Sequence, residues 1–209
     1  MAIGPAVRAL FGPYEREIAH LYRSIFIDLD DWIGRIGAWV PDAQNILEVG
    51  CGEGAMTERL CARYPQARIT AIDVTPRVGR LFAGDASRVE FLQMTVEDMA
   101  ARHPQAYDLI VLSDVIHHVP KALRGSILTA IHQALAPGGM FVFKDWARTS
   151  TPIHWMCHAG DRYLTGDQVS YLDEQEIRSF LGERFGAPQD ECRVRPWRNN
   201  FALMLRKAS

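Results

Sequence analysis

The sequence has no CxxC pair, no apolar run long enough to cross a bilayer, no internal repeat and no low-complexity tract. Each absence removes a class of protein. Cys51, Cys61, Cys157 and Cys192 are scattered along 209 residues. In a chain of this length they read as free thiols in a reducing compartment, so a cytoplasmic location is expected. Without an apolar stretch of about 20 residues there is no membrane span to assign. The N-terminus lacks the basic-then-apolar order of a secretion signal, and no membrane partner is expected. A net charge of −2 supplies no global attraction to nucleic acid. With 48% hydrophobic residues, the chain has enough apolar surface for one domain around one sizeable core.

What is present is organised around Asn45–Leu60. Ile46, Leu47 and Val49 read as a buried strand, Gly50, Gly52 and Gly54 as a tight turn, and Met56–Tyr64 as a helix stopped by Pro65. Such a turn lets backbone approach a ligand closely, and the following helix offers unpaired N–H groups to a polar or anionic ligand group. Glu48 is the odd residue. An acid inside an apolar strand, two places before the first glycine, points to a cationic or hydrogen-bond-donating ligand group.

Further strands are expected at Arg68–Val74, Val89–Thr95, Tyr107–Asp114 and Met140–Trp146. Thr75-Pro76 is expected to open a short helix, and longer ones are expected over Pro120–Leu135 and Asp173–Phe185. Pro137-Gly138-Gly139 reads as a helix stop, and Cys192–Pro196 with Asn200–Arg206 as a strand pair. Strands alternating with helices imply an α/β fold, a mostly parallel sheet flanked by helices. Before it, Tyr14–Val40 carries an apolar stripe (Ile18, Leu21, Tyr22, Ile25, Leu29, Trp32 and Ile36) that Asp28, Asp30 and Asp31 divide into two helices. These pack on the sheet as a layer or act as a lid, with Tyr14 or Tyr22 against a ligand.

A parallel sheet binds ligands beyond the C-terminal ends of its strands. Asp73 follows Gly50 by 23 residues, where an acid can accept hydrogen bonds from both ribose hydroxyls. Gly50-x-Gly52-x-x-Ala55 also meets the loose dinucleotide fingerprint. A pyrophosphate against that helix would be repelled by Glu48, whereas an ammonium would be held. The charge therefore favours S-adenosylmethionine over a nicotinamide dinucleotide.

Glu48-Val49-Gly50-Cys51-Gly52-Glu53-Gly54 resembles the first motif of class I S-adenosylmethionine-dependent methyltransferases of the small-molecule type. The resemblance continues through Asp73, the Tyr107–Asp114 strand and Ala136-Pro137-Gly138-Gly139, and covers residues 41–146. It implies a Rossmann-like seven-stranded sheet in the order 3-2-1-4-5-7-6, with strand seven antiparallel. The chain is thus expected to be a methyltransferase domain over 41–209 behind an N-terminal helical cap over 1–40, the latter read from the apolar stripe. The resemblance also implies that Glu48 and Gly50, Cys51, Gly52 and Gly54 hold the methionine end of the cofactor. Asp73 with Val74 would hold the ribose, Thr95, Val96 and Glu97 would border the adenine, and Ser113 would lie near the methionine part. Many relatives have Asp where this chain has Thr95, so the adenine amino group would meet the Thr95 hydroxyl or the Val96 backbone.

Transfer from a sulfonium needs alignment above all, and a neutral hydroxyl acceptor also needs a base. His117-His118 follows strand four and Asp145 ends strand five, at the sheet's active edge. Some small-molecule methyltransferases carry a similar His pair and acid there, which makes His117, His118 and Asp145 the catalytic candidates. The segment 147–172, rich in His154, Trp155, His158, Asp161, Arg162, Tyr163 and Tyr171, is the acceptor-pocket insertion that the resemblance implies. His154 and His158 are four apart, but no carboxylate at ligand spacing joins them, so no metal is expected. Arg162, Arg193, Arg195 and Arg198 face either an acidic acceptor or solvent.

The chain lacks the (Asn/Asp)-Pro-Pro-(Tyr/Phe) of amino-group methylation on bases and amides, the Pro-Cys nucleophile used on cytosine carbon, and a basic aromatic arm for RNA. No nucleic acid partner is expected. The remaining acceptor is a small metabolite or natural product, methylated on oxygen, with nitrogen or carbon as alternatives. A non-catalytic protein using the same S-adenosylmethionine pocket is the other class left open.

Overall fold

A computed structural model describes residues 15–160 and 169–208 of the chain. Two helices, α1 (Glu15–Phe26) and α2 (Leu29–Trp39), precede the sheet. Then come β1 (Asn45–Val49), α3 (Ala55–Arg63), β2 (Arg68–Asp73), β3 (Val89–Gln93), α4 (Val96–Arg102), β4 (Tyr107–Ser113) and α5 (Lys121–Ala134). The chain continues through β5 (Leu135–Trp146), α6 (Pro152–Gly160), α7 (Glu174–Phe185), β6 (Asp190–Arg193) and β7 (Asn200–Arg206).

The seven strands lie in the order β3-β2-β1-β4-β5-β7-β6. β1 to β5 run parallel, while β7 is antiparallel to both β5 and β6. This is the expected topology. Alternation along each buried strand sends its side chains to two cores. Leu47, Ile110, Leu112, Phe141, Phe143 and Phe201 pack with Met99, Leu128, Ile131 and Ile177 on one face. Ile46, Leu109, Val111, Val142 and Ala202 pack with Trp32, Ile36, Met56 and Leu60 on the other.

Asp28 makes the break between the first two helices. Its carboxylate caps α2 by accepting from the backbone N–H groups of Asp30 (3.1 Å) and Asp31 (3.0 Å). Trp32 and Ile36 are fully buried against the sheet, so α2 is a packed layer. On α1, two residues of the stripe face solvent, Leu21 being 68% and Ile25 45% exposed. Tyr14 lies outside the described residues, as does the side chain of Tyr22. The α1–α2 junction is pinned from the far end of the chain. Trp197 Nε1 donates to the Ile25 carbonyl (2.6 Å), Asn200 Nδ2 to the Phe26 carbonyl (2.7 Å), and the Asp28 N–H to the Arg195 carbonyl (2.7 Å).

Three local expectations are corrected. No helix follows Thr75-Pro76; residues 74–81 form turns, with Arg77 and Gly79 at positive φ. Their backbone pairs with the glycine loop instead, Gly79 N–H to the Gly52 carbonyl (2.9 Å) and Leu81 N–H to the Glu53 carbonyl (3.0 Å). β5 begins at Leu135 rather than Met140. Tyr107 pairs with Leu135 and Leu109 with Met140, so Ala136–Gly139 bulges out of a continuous strand. β3 stops at Gln93, because the Thr95 hydroxyl is committed to capping α4. Among the described residues no helix is long and apolar enough to cross a membrane.

Candidate active site

The loop after β1 is shaped by its glycines. Gly50 has φ +78°, and a Cβ there would run into the Val115 side chain. Gly52 has φ +51°, and a Cβ there would meet nothing within 4 Å, so this part of the loop faces open space. Two successive N–H groups, of Gly50 (2.8 Å) and Cys51 (3.0 Å), donate to the Ile72 carbonyl and tie the loop to β2.

Both acids singled out in the sequence lie at this loop. Glu48 is 4% exposed and its Oε2 has no hydrogen-bond partner. Burial pushes its carboxyl up to about 7; the Thr57 hydroxyl opposes the rise and the Asp73 charge adds to it. The same burial, with the Glu48 and Asp73 charges, pushes the Cys51 thiol up, so it stays a neutral wall residue. Asp73 Oδ2 accepts from the Gly52 N–H (2.8 Å), and Oδ1 from the Thr75 N–H (2.9 Å) and hydroxyl (2.8 Å). The acid at the end of β2 thus braces the loop itself. A carboxylate has about four lone-pair sites, so capacity for further donors remains.

The four residues assigned to the adenine side and to β4 separate in the structure. Val74, 66% exposed, and Thr95 line one cavity of about 410 Å³ with Leu92, Gln93, Met94, Asp98 and Arg102. The Thr95 hydroxyl accepts from the Asp98 N–H (3.1 Å) and donates to its carboxylate (3.0 Å). Val96 is buried in the core, so only its backbone remains for a ligand. Glu97 turns to α5, accepting from the Ser126 hydroxyl (2.8 Å). The Ser113 hydroxyl accepts from the Trp32 indole (2.9 Å) and so anchors α2 on the tip of β4.

At the ends of β4 and β5 the chain builds a charged cluster. His117 and Asp145 are both buried, and His117 Nδ1 makes a short contact to Asp145 Oδ1. Asp145 also accepts from the His117 N–H (3.1 Å) and the Trp146 N–H (2.7 Å). Burial alone would raise its pKa, but the His117 imidazole, the Trp146 N–H and Lys144 outweigh it and hold the carboxyl below the usual range. His118 is exposed, its ring centroid 4.1 Å from that of His117. The structure therefore joins one histidine of the pair to the acid. The His117 ring also stacks on Tyr171, with centroids 4.8 Å apart and planes 16° from parallel.

Sequence reasoning missed Lys144. Its ammonium is 1% exposed and donates to both Asp114 oxygens at 2.7 Å. Asp114 sits at φ +56°, a strained position that the ion pair accompanies. Asp114, His117 and Asp145 present ligating atoms within 4.8 Å of one another. That set is committed to Lys144 and to the His–Asp contact. His154 is likewise committed, its Nδ1 accepting from the Trp146 indole (3.1 Å). Arg193 pairs with Glu174 (2.5 Å) and Arg195 with Asp28 (3.1 Å), while Asp161, Arg162 and Tyr163 lie outside the described residues.

Comparison with known proteins identifies the family and the fold. Residues 47–141 match a family model described as a methyltransferase domain. The ubiquinone biosynthesis O-methyltransferase of Yersinia pestis (strain Pestoides F) is 33% identical over 189 residues, 85% of this chain and 75% of that protein. The protein of the same name in Xanthomonas campestris pv. campestris (strain B100) is 30% identical over 180 residues, 80% of this chain and 73% of its own length. Among solved structures, the S-adenosylmethionine-dependent methyltransferase SibL superposes with a TM-score of 0.72 at 15% identity, over 91% of this chain. This chain spans 57% of SibL, a little over half its length. The 1,6-didemethyltoxoflavin-N1-methyltransferase of Burkholderia thailandensis, solved with S-adenosylhomocysteine, superposes with a TM-score of 0.68 at 18% identity, over 97% of this chain and 88% of its own.

Proposed function

Because the chain belongs to the class I S-adenosylmethionine-dependent methyltransferases, we propose that it methylates a hydroxyl of a small metabolite or natural product, with His117 as general base. The buried His117–Asp145 pair carries this reading. The relatives named as O-methyltransferases support oxygen as the acceptor atom.

The cofactor supplies an electrophilic methyl group on a sulfonium. The residues present fit it. Glu48 has an orphaned buried oxygen for an ammonium, Gly52 leaves open space at the loop, and Asp73 retains acceptor capacity for ribose hydroxyls. Val74 and Thr95 border the adenine from the cavity they share, and the Val96 backbone is beside them. Asp145 accepts from Nδ1–H and fixes the tautomer that leaves the lone pair on Nε2 of His117. Nε2 takes the hydroxyl proton as the new carbon–oxygen bond forms, and Asp145 stabilises the imidazolium. Helices α1 and α2 serve as a helical cap, and residues 147–160 and 169–172 contribute to the acceptor-pocket wall, where Tyr171 offers an aromatic face. Transfer of labelled methyl to phenols, aliphatic alcohols, carboxylic acids and amines tests the reading. Product from amines alone would overturn it.

Glu48 adds a pH dependence. With its carboxyl near 7, an ammonium favours the charged form, so ligand binding below pH 7 requires a proton to leave. Affinity for S-adenosylhomocysteine is expected to be about tenfold weaker at pH 6 than at pH 8, and flat above that. Glu48→Gln removes the slope. Calorimetry in buffers of different ionisation enthalpy measures both affinity and proton release. PH-independent affinity in the unaltered protein would place the ammonium elsewhere.

A further inference from the structure

Between His117 and the start of α7 the chain returns from its insertion and is strapped to the catalytic turn. The Ser170 N–H donates to the His117 carbonyl (2.8 Å), and Tyr171, next in sequence, stacks on the His117 ring. The strap is held by Arg124, in the first turn of α5. Its Nε donates to the carbonyl of Val119 (3.0 Å), just past the turn Ile116–His118, and its Nη2 to the carbonyl of Ser170 (2.6 Å). One guanidinium thus closes a ring of contacts: Arg124 to Ser170, Ser170 to His117, and back through Val119.

Arg124 is 3% exposed, and its Nη1 has no partner. A buried cation that leaves an N–H unpaired is a costly fastener for two neutral carbonyls. Burial pulls the guanidinium below its ordinary value, and the charges of Asp145 and Glu176 act against that pull. Arg124 is therefore within electrostatic reach of the acid that orients His117.

We propose that Arg124 is a positioning residue for methyl transfer, which holds His117 in register with Asp145 by strapping the end of the strand-five insertion over it and which biases the pair electrostatically as a fixed cation. This rests on His117 being the base. Among the described residues, the charged and titratable groups around His117 include Asp145 and Lys144 on β5, Asp114 after β4, His118 on its own turn, Tyr171 on the strap and Arg124 on α5. Of these Arg124 and Lys144 are the fixed cations, and Lys144 is paired with Asp114. Removing Arg124 makes the imidazolium easier to form, so the pKa of His117 rises and the acid limb of kcat/KM moves to higher pH.

The test compares Arg124→Gln, Arg124→Lys and His117→Ala with the parent enzyme on one verified acceptor. Arg124→Gln is expected to lower kcat about tenfold or more and to move the acid limb upward by about half a pH unit or more. S-adenosylhomocysteine affinity should stay at the parent value, which also certifies the fold. Arg124→Lys keeps the cation but not the two-carbonyl fork, so the limb should stay in place while kcat still falls. Parent-like kcat and limb in Arg124→Gln, beside an inactive His117→Ala, would overturn the positioning role and leave the base intact. If Arg124→Gln does not fold, parent-like kcat in Arg124→Lys would overturn it equally. Full activity in His117→Ala would remove the base, and this role with it.

Discussion

Single-turnover methyl transfer in His117→Ala is expected to be slower by roughly 10²–10⁴, with S-adenosylhomocysteine affinity nearly unchanged. The size follows from what the residue is asked to supply. A hydroxyl of high pKa must lose its proton as the carbon–oxygen bond forms, and on the function proposed above the buried imidazole bonded to Asp145 takes it. Asp145→Asn should cost less. The amide can still occupy the site, but it can present an N–H where the carboxylate accepted and cannot stabilise the imidazolium. His118→Ala should be tolerated, because His118 is exposed and the acid is bonded to its neighbour. The readout depends on the acceptor in an informative way. With a phenolate or a carboxylate, which arrives already deprotonated, all three variants should transfer at the parent rate. Parent rates with a neutral alcohol would leave the mechanism resting on alignment alone.

Asp73→Ala should weaken S-adenosylhomocysteine binding by roughly 10²–10⁴, since each lost hydrogen bond to a charged acceptor is worth about 1.5–3 kcal/mol. Two losses combine here. The ribose hydroxyls lose their acceptor, and the glycine loop loses the brace from the Gly52 N–H (2.8 Å) and from Thr75. Asp73→Asn separates them, because its side-chain oxygen can still accept from one loop N–H while the charge is gone. Calorimetric affinity at the parent value in folded Asp73→Ala would show that the ribose is held elsewhere.

The parts of this molecule that were legible in the sequence are those governed by local chemistry. Glycines at Gly50, Gly52 and Gly54, an acid at the end of a strand, and four-residue apolar centres fix a parallel sheet and its ligand edge almost unaided. The break between the first two helices was readable for the same reason, from three acids at Asp28, Asp30 and Asp31 within an apolar stripe; which of them caps α2 was not. What escaped was set by long-range partners. Glu97 and Ser113 stand at the sheet's ligand edge, yet their side chains are engaged by Ser126 and Trp32, 29 and 81 residues away. Lys144 lies in a strand that reads as apolar, and nothing in its neighbourhood announces Asp114, 30 residues earlier. Arg124 looks like an ordinary helix-surface arginine until the strap from Ser170 covers it. The short helix expected after Pro76 failed because its backbone donors found the glycine loop before they found each other.

The pinning of the α1–α2 junction by the β6–β7 hairpin bears on how the enzyme is made. Trp197 reaches Ile25 across 172 residues of sequence, and Asn200 reaches Phe26 across 174. On a ribosome, the first helices emerge long before the strand that anchors them is translated. β7 also sits between β5 and β6, so the sheet edge beside Asp145 stays open until β7 is added. The α1–α2 junction thus waits for partners of very high sequence separation, and its pinning is a late event in assembly.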